Sequence, residues 1–254
     1  MLVKGTYEWF FETPEWCNWI ECSSKRPFLA VGPAGTGKTA LAHALLARME
    51  AGSSQLVCSH SFQITRGDRF CSGQHFLANI LVQLFMRVCD TSDQASFNFF
   101  EQRKTSWPTI WACPFNELQE GLREVVQQIG AITLVVDALD ECRTERSKVE
   151  QLLLDLSVQQ HCTVVATSRY SSSAATEFDV FSVLQYTVNI KADLLRYVDY
   201  EVKHKSQLKS TAHVDLRNDI IRGVVERAKN NFLVAKLLIE LIARQYTRND
   251  IKTF

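Results

Sequence analysis

The chain has no excess of either charge. Its 28 lysines and arginines balance 28 aspartates and glutamates, for a formal net charge of zero. That removes the electrostatic footprint that binding to nucleic acid or to an anionic membrane leaves in composition, although a local basic pocket stays open. No apolar run is long enough for a bilayer span, which takes about 20 residues. The most apolar late stretch, Phe232 to Ala243 (FLVAKLLIELIA), is interrupted by Lys236 and Glu240 and reads as a buried helix. The opening MLVKGTYEWF has no cationic segment followed by a clean apolar one, so it is not a signal peptide. No Cys-x-x-Cys pair occurs among the eight cysteines. A chain of this core content needs no covalent staples, so the thiols read as reduced and the setting as cytoplasmic. Cys58, Cys142 and Cys162 lie in or beside apolar runs and are expected to pack as small hydrophobes. The six histidines, His43, His60, His75, His161, His204 and His213, form no ligand spacing with one another or with cysteine. Internal repeats and low-complexity runs are absent as well.

What is present is a core. Of 254 residues, 46% are apolar and 10% aromatic, enough for one large α/β domain, alone or with a small appendage. Thr13 followed by Pro14 is a helix N-cap and first-turn pair, predicting a short helix from Pro14 to about Cys22. Trp9, Phe10, Phe11, Trp16 and Trp19 form an aromatic cluster around it. The plainer expectation is that it caps the core that follows; the sharper one is that part of it flanks a bound base. Beyond it, short apolar runs alternate with helical periodicity. RPFLAVG, SQLVCSHSFQI, AITLVVDALDEC, HCTVVATSRY and FSVLQYTVNI read as strands. TALAHALLARME, SGQHFLANILVQLFMRV (Ser72 as N-cap), PFNELQEGLREVVQQIG and SKVEQLLLDLSV read as helices. Residues 90–113 are less regular, and Pro108 breaks them. After Ile190 the pattern is wholly helical. Alternation of this kind gives a parallel sheet covered on both faces, here followed by a small helical unit. The division expected is 1–24 as a lead-in, 25–190 as the α/β core and 191–254 as the helical unit. The sequence stops at Phe254 a few residues past a helix, which suggests a fragment of a longer product.

Gly32-Pro33-Ala34-Gly35-Thr36-Gly37-Lys38-Thr39 fits G-x-x-x-x-G-K-[ST] without a gap, between an apolar run and a helix that takes in Ala40. The chemistry explains each fixed position. The three glycines let backbone N–H groups turn inward around phosphate oxygens. Lys38 brings a point charge to the β- and γ-phosphates, and Thr39 offers a hydroxyl to Mg²⁺. The helix that starts here adds its positive dipole end. Downstream, LVVDALDE puts Asp137 at the C-terminal end of a buried strand, the edge where open α/β sheets bind ligands. A carboxylate there can hold the Mg²⁺ of a phosphate loop. Asp140 or Glu141, in the next turn, can orient and deprotonate an attacking water. Another strand ends in Ser168 and Arg169, whose guanidinium is in line to reach a γ-phosphate.

Together these elements carry a resemblance. The stretches GTYEWFFETPEWCNWI, GPAGTGKT, LVVDALDE, TSR and VVERAKNNFLVAKLLIELI resemble the NACHT-type signal-transduction NTPases (STAND class), especially the fungal NOD-like and nephrocystin-3-like N-terminal form. The resemblance implies a P-loop NTPase fold with a parallel five-stranded sheet, strand order 5-1-4-3-2, and a helical subdomain closing over the nucleotide. It implies a switch that holds ADP at rest, exchanges it for ATP with Mg²⁺, hydrolyses it slowly and self-associates, as in innate-immunity or heterokaryon-incompatibility proteins that add effector and repeat sensor domains. On this chain it gives Lys38 and Thr39 phosphate and Mg²⁺, Asp137 Mg²⁺, Asp140 and Glu141 hydrolysis, and Arg169 sensing of the γ-phosphate. Two features depart from the pattern: AKNNFLVAK has no base-contacting proline, and Asn230 or Asn231 stands where the fungal form usually has glycine. A nucleotide-binding scaffold without turnover is the alternative. A small-molecule kinase fits less well, since the late helices show no arginine-rich lid pattern.

Overall fold

A computed structural model describes residues 3–22, 26–52, 55–91, 100, 109–159, 162–170, 177–204 and 214–244. Pro108, His161, His213 and Phe254 lie outside the described residues. Helix α1 (Pro14–Glu21) opens as its sequence requires, the Thr13 hydroxyl accepting from the Trp16 N–H at 3.4 Å. Then follow β1 (Phe28–Val31), α2 (Lys38–Gly52), β2 (Val57–Ser61), α3 (Gly73–Thr91), α4 (Phe115–Ile129), β3 (Thr133–Asp137), α5 (Arg146–Gln159), β4 (Thr163–Ser168) and β5 (Asp179–Ser182). Helices α6 (Thr187–His204), α7 (Val214–Ala228) and α8 (Phe232–Arg244) complete the order. Ser72 caps α3, its hydroxyl accepting from the His75 N–H at 3.1 Å.

The five strands form one sheet in the order β2-β3-β4-β1-β5, every pair parallel. This is the P-loop NTPase fold, with the expected strand order read from the other edge. Successive side chains of a strand point to opposite faces, and both faces here are covered. Leu134 and Val136 of β3 enter one core with α3, α4 and α5, whereas Val135 enters a second with α1 and α2. That is why β3 and β4 read as unbroken apolar runs: all their residues are buried. The aromatic cluster caps the second core. Phe10 lies 5.1 Å from both Trp16 and Phe181, and Trp9 stacks on Tyr186 at 5.2 Å. All eight cysteines are free thiols, and Cys58, Cys142 and Cys162 are buried.

Two expectations are corrected. The fifth strand does not run through FSVLQYTVNI: β5 ends at Ser182, Val183–Tyr186 is a 3-10 turn, and helix α6 starts at Thr187. Ile190, Leu194, Val198 and Val202 are all buried at four-residue spacing. That helical period extends back into TVNI and prevails over its β-branched content. Helix α8 is not buried all round. Ala235, Ile239 and Ile242 pack into a third core with α6 and α7, while Leu233, Leu237 and Leu241 remain about half exposed. Among the described residues no helix is long and apolar enough to cross a membrane.

Candidate functional site

Strands β3, β4 and β1 are neighbours, so their C-terminal ends deliver three chain segments to one edge. The Gly32 N–H donates to the Ser168 carbonyl at 3.2 Å, closing the ends of β1 and β4 together. From Gly32 the loop reaches Lys38, the first residue of α2, in one turn. Gly35 and Gly37 have φ of +82° and +87°, the left-handed region that favours glycine. Space forbids a side chain too: a Cβ on Gly35 would run into the Asn231 amide, and one on Gly37 into the Tyr7 hydroxyl. The Lys38 ammonium folds over the loop, donating to the Gly32 and Pro33 carbonyls at 2.7 and 2.8 Å. The Thr36 hydroxyl donates to the Pro33 carbonyl at 2.9 Å. Thr39 and Ala40 continue the first turn of α2, and Ala40 packs against the second core.

Three outward-facing carbonyls of the loop are tied to distant segments. The Asn231 Nδ2 donates to Ala34 O at 3.0 Å, the Phe232 N–H to Gly35 O at 2.7 Å, and the Tyr7 hydroxyl to Thr36 O at 3.0 Å. Tyr7 is itself held by Asp193, a fully buried carboxylate that accepts from the Tyr7 N–H at 2.9 Å and the Trp9 Nε1 at 2.7 Å. Its other oxygen accepts from Arg196 at 2.8 Å. Burial, reinforced by Asp193, pushes the Tyr7 phenol well above its ordinary range, so it stays a neutral donor.

Asp137 is buried at the end of β3. Its Oδ1 accepts from the Thr167 hydroxyl at 2.6 Å and its Oδ2 from the Ser61 hydroxyl at 3.1 Å. Thr167 in turn accepts from the Ala138 N–H at 3.0 Å, which fixes the turn leading to Asp140 and Glu141. Arg169 bridges those two carboxylates. Its N–H and Nε donate to the two oxygens of Asp140 at 2.9 and 2.6 Å, and its Nη2 donates to Glu141 Oε1 at 3.1 Å. Glu141 Oε2 accepts from the Ile64 N–H at 3.1 Å. The two acids differ in access: the Asp140 side chain is 2% exposed, that of Glu141 25%. Burial lowers the Lys38 ammonium below its ordinary range, and Asp140 and Asp137 oppose that shift more strongly than Glu141 does. The loop and the acidic strand end therefore share one electrostatic field.

So the predicted residues of the loop, Asp137, Asp140, Glu141 and Arg169 come together at one sheet edge. Sequence reasoning missed Tyr7, Ser61, Thr167, Asp193 and the donor role of Asn231. Thr167 left a trace, a hydroxyl in an otherwise apolar strand just before Ser168-Arg169. Ser61 and Asp193 left none, because their partners are 76 to 186 residues away.

A family model described as "Nephrocystin 3, N-terminal" matches residues 5–169. The chain belongs to this family. The match takes in Tyr7, the phosphate loop, Asp137 and Arg169. Among solved structures, "Structure of Drosophila ORC bound to DNA" is similar at 20% identity with a TM-score of 0.48, over 89% of this chain and 57% of that one. The chain thus spans somewhat over half the length of that relative. No curated protein matches it.

For a nephrocystin 3, N-terminal family member with this edge, the donor set suits a nucleotide phosphate. Glycines at positive φ and a lysine at a helix start form an anion cradle. Asp137 keeps lone pairs beyond its two hydroxyl partners and, with Thr39, offers hard oxygen ligands of the kind Mg²⁺ takes. Among the described residues no group of three or more His, Cys, Asp or Glu could hold a metal. Phosphate and water would have to complete its shell.

Proposed function

We propose that the chain is a nucleotide-binding switch module, taking ATP or ADP with Mg²⁺ at the Gly32–Thr39 loop and hydrolysing ATP slowly. One observation carries this: Lys38, Asp137, Asp140, Glu141 and Arg169 converge beside a glycine loop whose φ values leave its amides for an anion. Lys38 exchanges its two carbonyl partners for phosphate oxygens. Thr39 and Asp137 hold the Mg²⁺, which neutralises phosphate charge when bound. Glu141 takes the proton of the attacking water, because Asp140 is enclosed and both its oxygens are engaged by Arg169. Residues 191–254 act as the helical unit that closes on the loop through Asn231 and Phe232, after a lead-in of 1–24 and a core of 25–190. The NACHT-type, NOD-like, signalling role and self-association belong to this proposal and rest on the motif pattern.

MgADP or MgATP at a hundredfold excess over Kd should stabilise the chain by about 2.7 kcal/mol, a rise of roughly 5–10 °C in Tm for this size. Lys38→Ala should abolish the shift. A Tm indifferent to nucleotide, or an undiminished shift in Lys38→Ala, would sink the proposal. A scaffold that retains nucleotide without turnover is a second reading. It draws support from Arg169, which occupies an oxygen of the one accessible base; phosphate release at single turnover separates the two.

A further inference from the structure

Along β2, an outer strand of the sheet, lies a cavity of about 1050 Å³. It is large for a small-molecule site, which runs to about 300–1,000 Å³. It meets the phosphate site only through Asp137 and Ser61 in its wall. Three buried side-chain atoms of its lining have no hydrogen-bond partner: His60 Nε2, His75 Nδ1 and Glu145 Oε2. Each such atom costs free energy unless something meets it. Three on one cavity describe what would meet them.

His60 is 6% exposed. The Asn79 Nδ2 donates to its Nδ1 at 2.9 Å, which puts the proton on Nε2 and makes the unmet atom a donor. Burial, helped by His75, pulls its pKa down to about 3, so the ring is neutral. Glu145 Oε2 is an acceptor. Between them stands an aromatic wall, with His75 4.9 Å from Trp111 at 32° and 4.8 Å from Phe70. Trp111 is 47% exposed, which leaves indole surface for stacking. Arg66 and Arg69 line the same cavity, both exposed to solvent.

A fitting ligand supplies an acceptor for His60, a donor for Glu145, a flat face for Trp111 and negative charge for the two arginines. We propose that this cavity is a second ligand site, separate from the phosphate loop, for a flat heteroaromatic anion of the mononucleotide class. A heterocycle edge offers donor and acceptor in one plane, its face stacks on the aromatic wall, and its phosphate reaches the arginines. A simple anion satisfies only the arginines.

AMP is the probe, since it lacks the β- and γ-phosphates that Lys38 serves. Titration calorimetry of AMP into the Lys38→Ala chain should show one site. Adding Arg66→Ala or Trp111→Ala should weaken it by about tenfold or more; both side chains are well exposed, so folding is not at stake. The wild-type chain with its loop saturated by MgADP should bind AMP with the affinity of Lys38→Ala. Any of three results overturns the proposal: no AMP binding to Lys38→Ala, binding indifferent to both added substitutions, or inorganic phosphate binding as tightly as AMP.

Discussion

Asp193 ties the start of the chain to helix α6 with one carboxylate, and removing it has a calculable cost. Its Oδ2 takes the Tyr7 N–H and the Trp9 indole N–H, and its Oδ1 takes Arg196. In Asp193→Ala the Tyr7 N–H is left without an acceptor in a residue that is 1% exposed, which costs about 1–3 kcal/mol. The half-buried Trp9 N–H adds about 1 kcal/mol. Arg196 is 52% exposed and can turn to water, so its loss adds little. The sum is about 3 kcal/mol, or roughly 6–12 °C in Tm for a chain of this length. Asp193→Asn retains an oxygen for both donors and offends only Arg196, so it should cost about 1 kcal/mol. Because the Tyr7 hydroxyl holds Thr36 O of the phosphate loop, Asp193→Ala should also bind nucleotide more weakly than its lower Tm alone explains. Urea unfolding of the three proteins, with and without MgADP, reads both effects. If Asp193→Ala unfolds within about 0.5 kcal/mol of the parent, or Asn costs as much as Ala, the buried-acceptor reasoning is wrong.

Three further outcomes are expected. His60 binds its proton at about 3 when folded and 6.5 when unfolded. The unfolded chain therefore takes up the extra proton first, and stability falls as pH drops below 6.5. Between pH 7 and 5 this amounts to about 2 kcal/mol; an identical acid loss in His60→Phe, followed by urea midpoints, would refute it. Glu141→Gln should keep the MgATP shift and slow phosphate release by about 10² or more, and an unchanged rate would remove Glu141 from the role of base. Arg169→Ala separates a sensor from a clamp. A sensor lowers the ratio of ATP to ADP affinity, whereas a clamp alone weakens both equally.

The parts of the fold carried by local chemistry were legible. Thr13-Pro14 and Ser72 cap helices because their hydroxyls act within three residues, and β3 shows as an apolar run because both its faces are covered. The phosphate loop is legible for the same reason: its glycine φ values, lysine and helix start all lie within eight residues. What was misread turned on competition between neighbours. TVNI has strand propensity, yet it supplies the first turn of a helix whose buried positions lie downstream. Helix α8 looked buried from composition alone, but its leucines fall on two stripes and only one meets α6 and α7. The settings of Asp137 and Asp193 depend on Ser61, Thr167, Tyr7 and Trp9, partners that no local window can pair.

The loop's outward carbonyls give the nucleotide site a mechanical character. Gly35 and Gly37 at positive φ turn part of the backbone inward, and the carbonyls of Ala34, Gly35 and Thr36 face two other parts of the chain. One of those, Tyr7, lies inside the family match; the other, Asn231-Phe232, lies beyond it. A change in the loop on phosphate capture is therefore felt at the N-terminal segment and at the first turn of α8 together. Asp193 joins the two, since it anchors Tyr7 from α6, and α6 packs with α8 in the third core. Three hydrogen bonds on three consecutive carbonyls cannot all persist if either partner segment shifts by more than the tolerance of a hydrogen bond, a few tenths of an ångström. The occupied loop and the docked helical unit are thus favoured as a pair, which is the coupling a nucleotide switch requires.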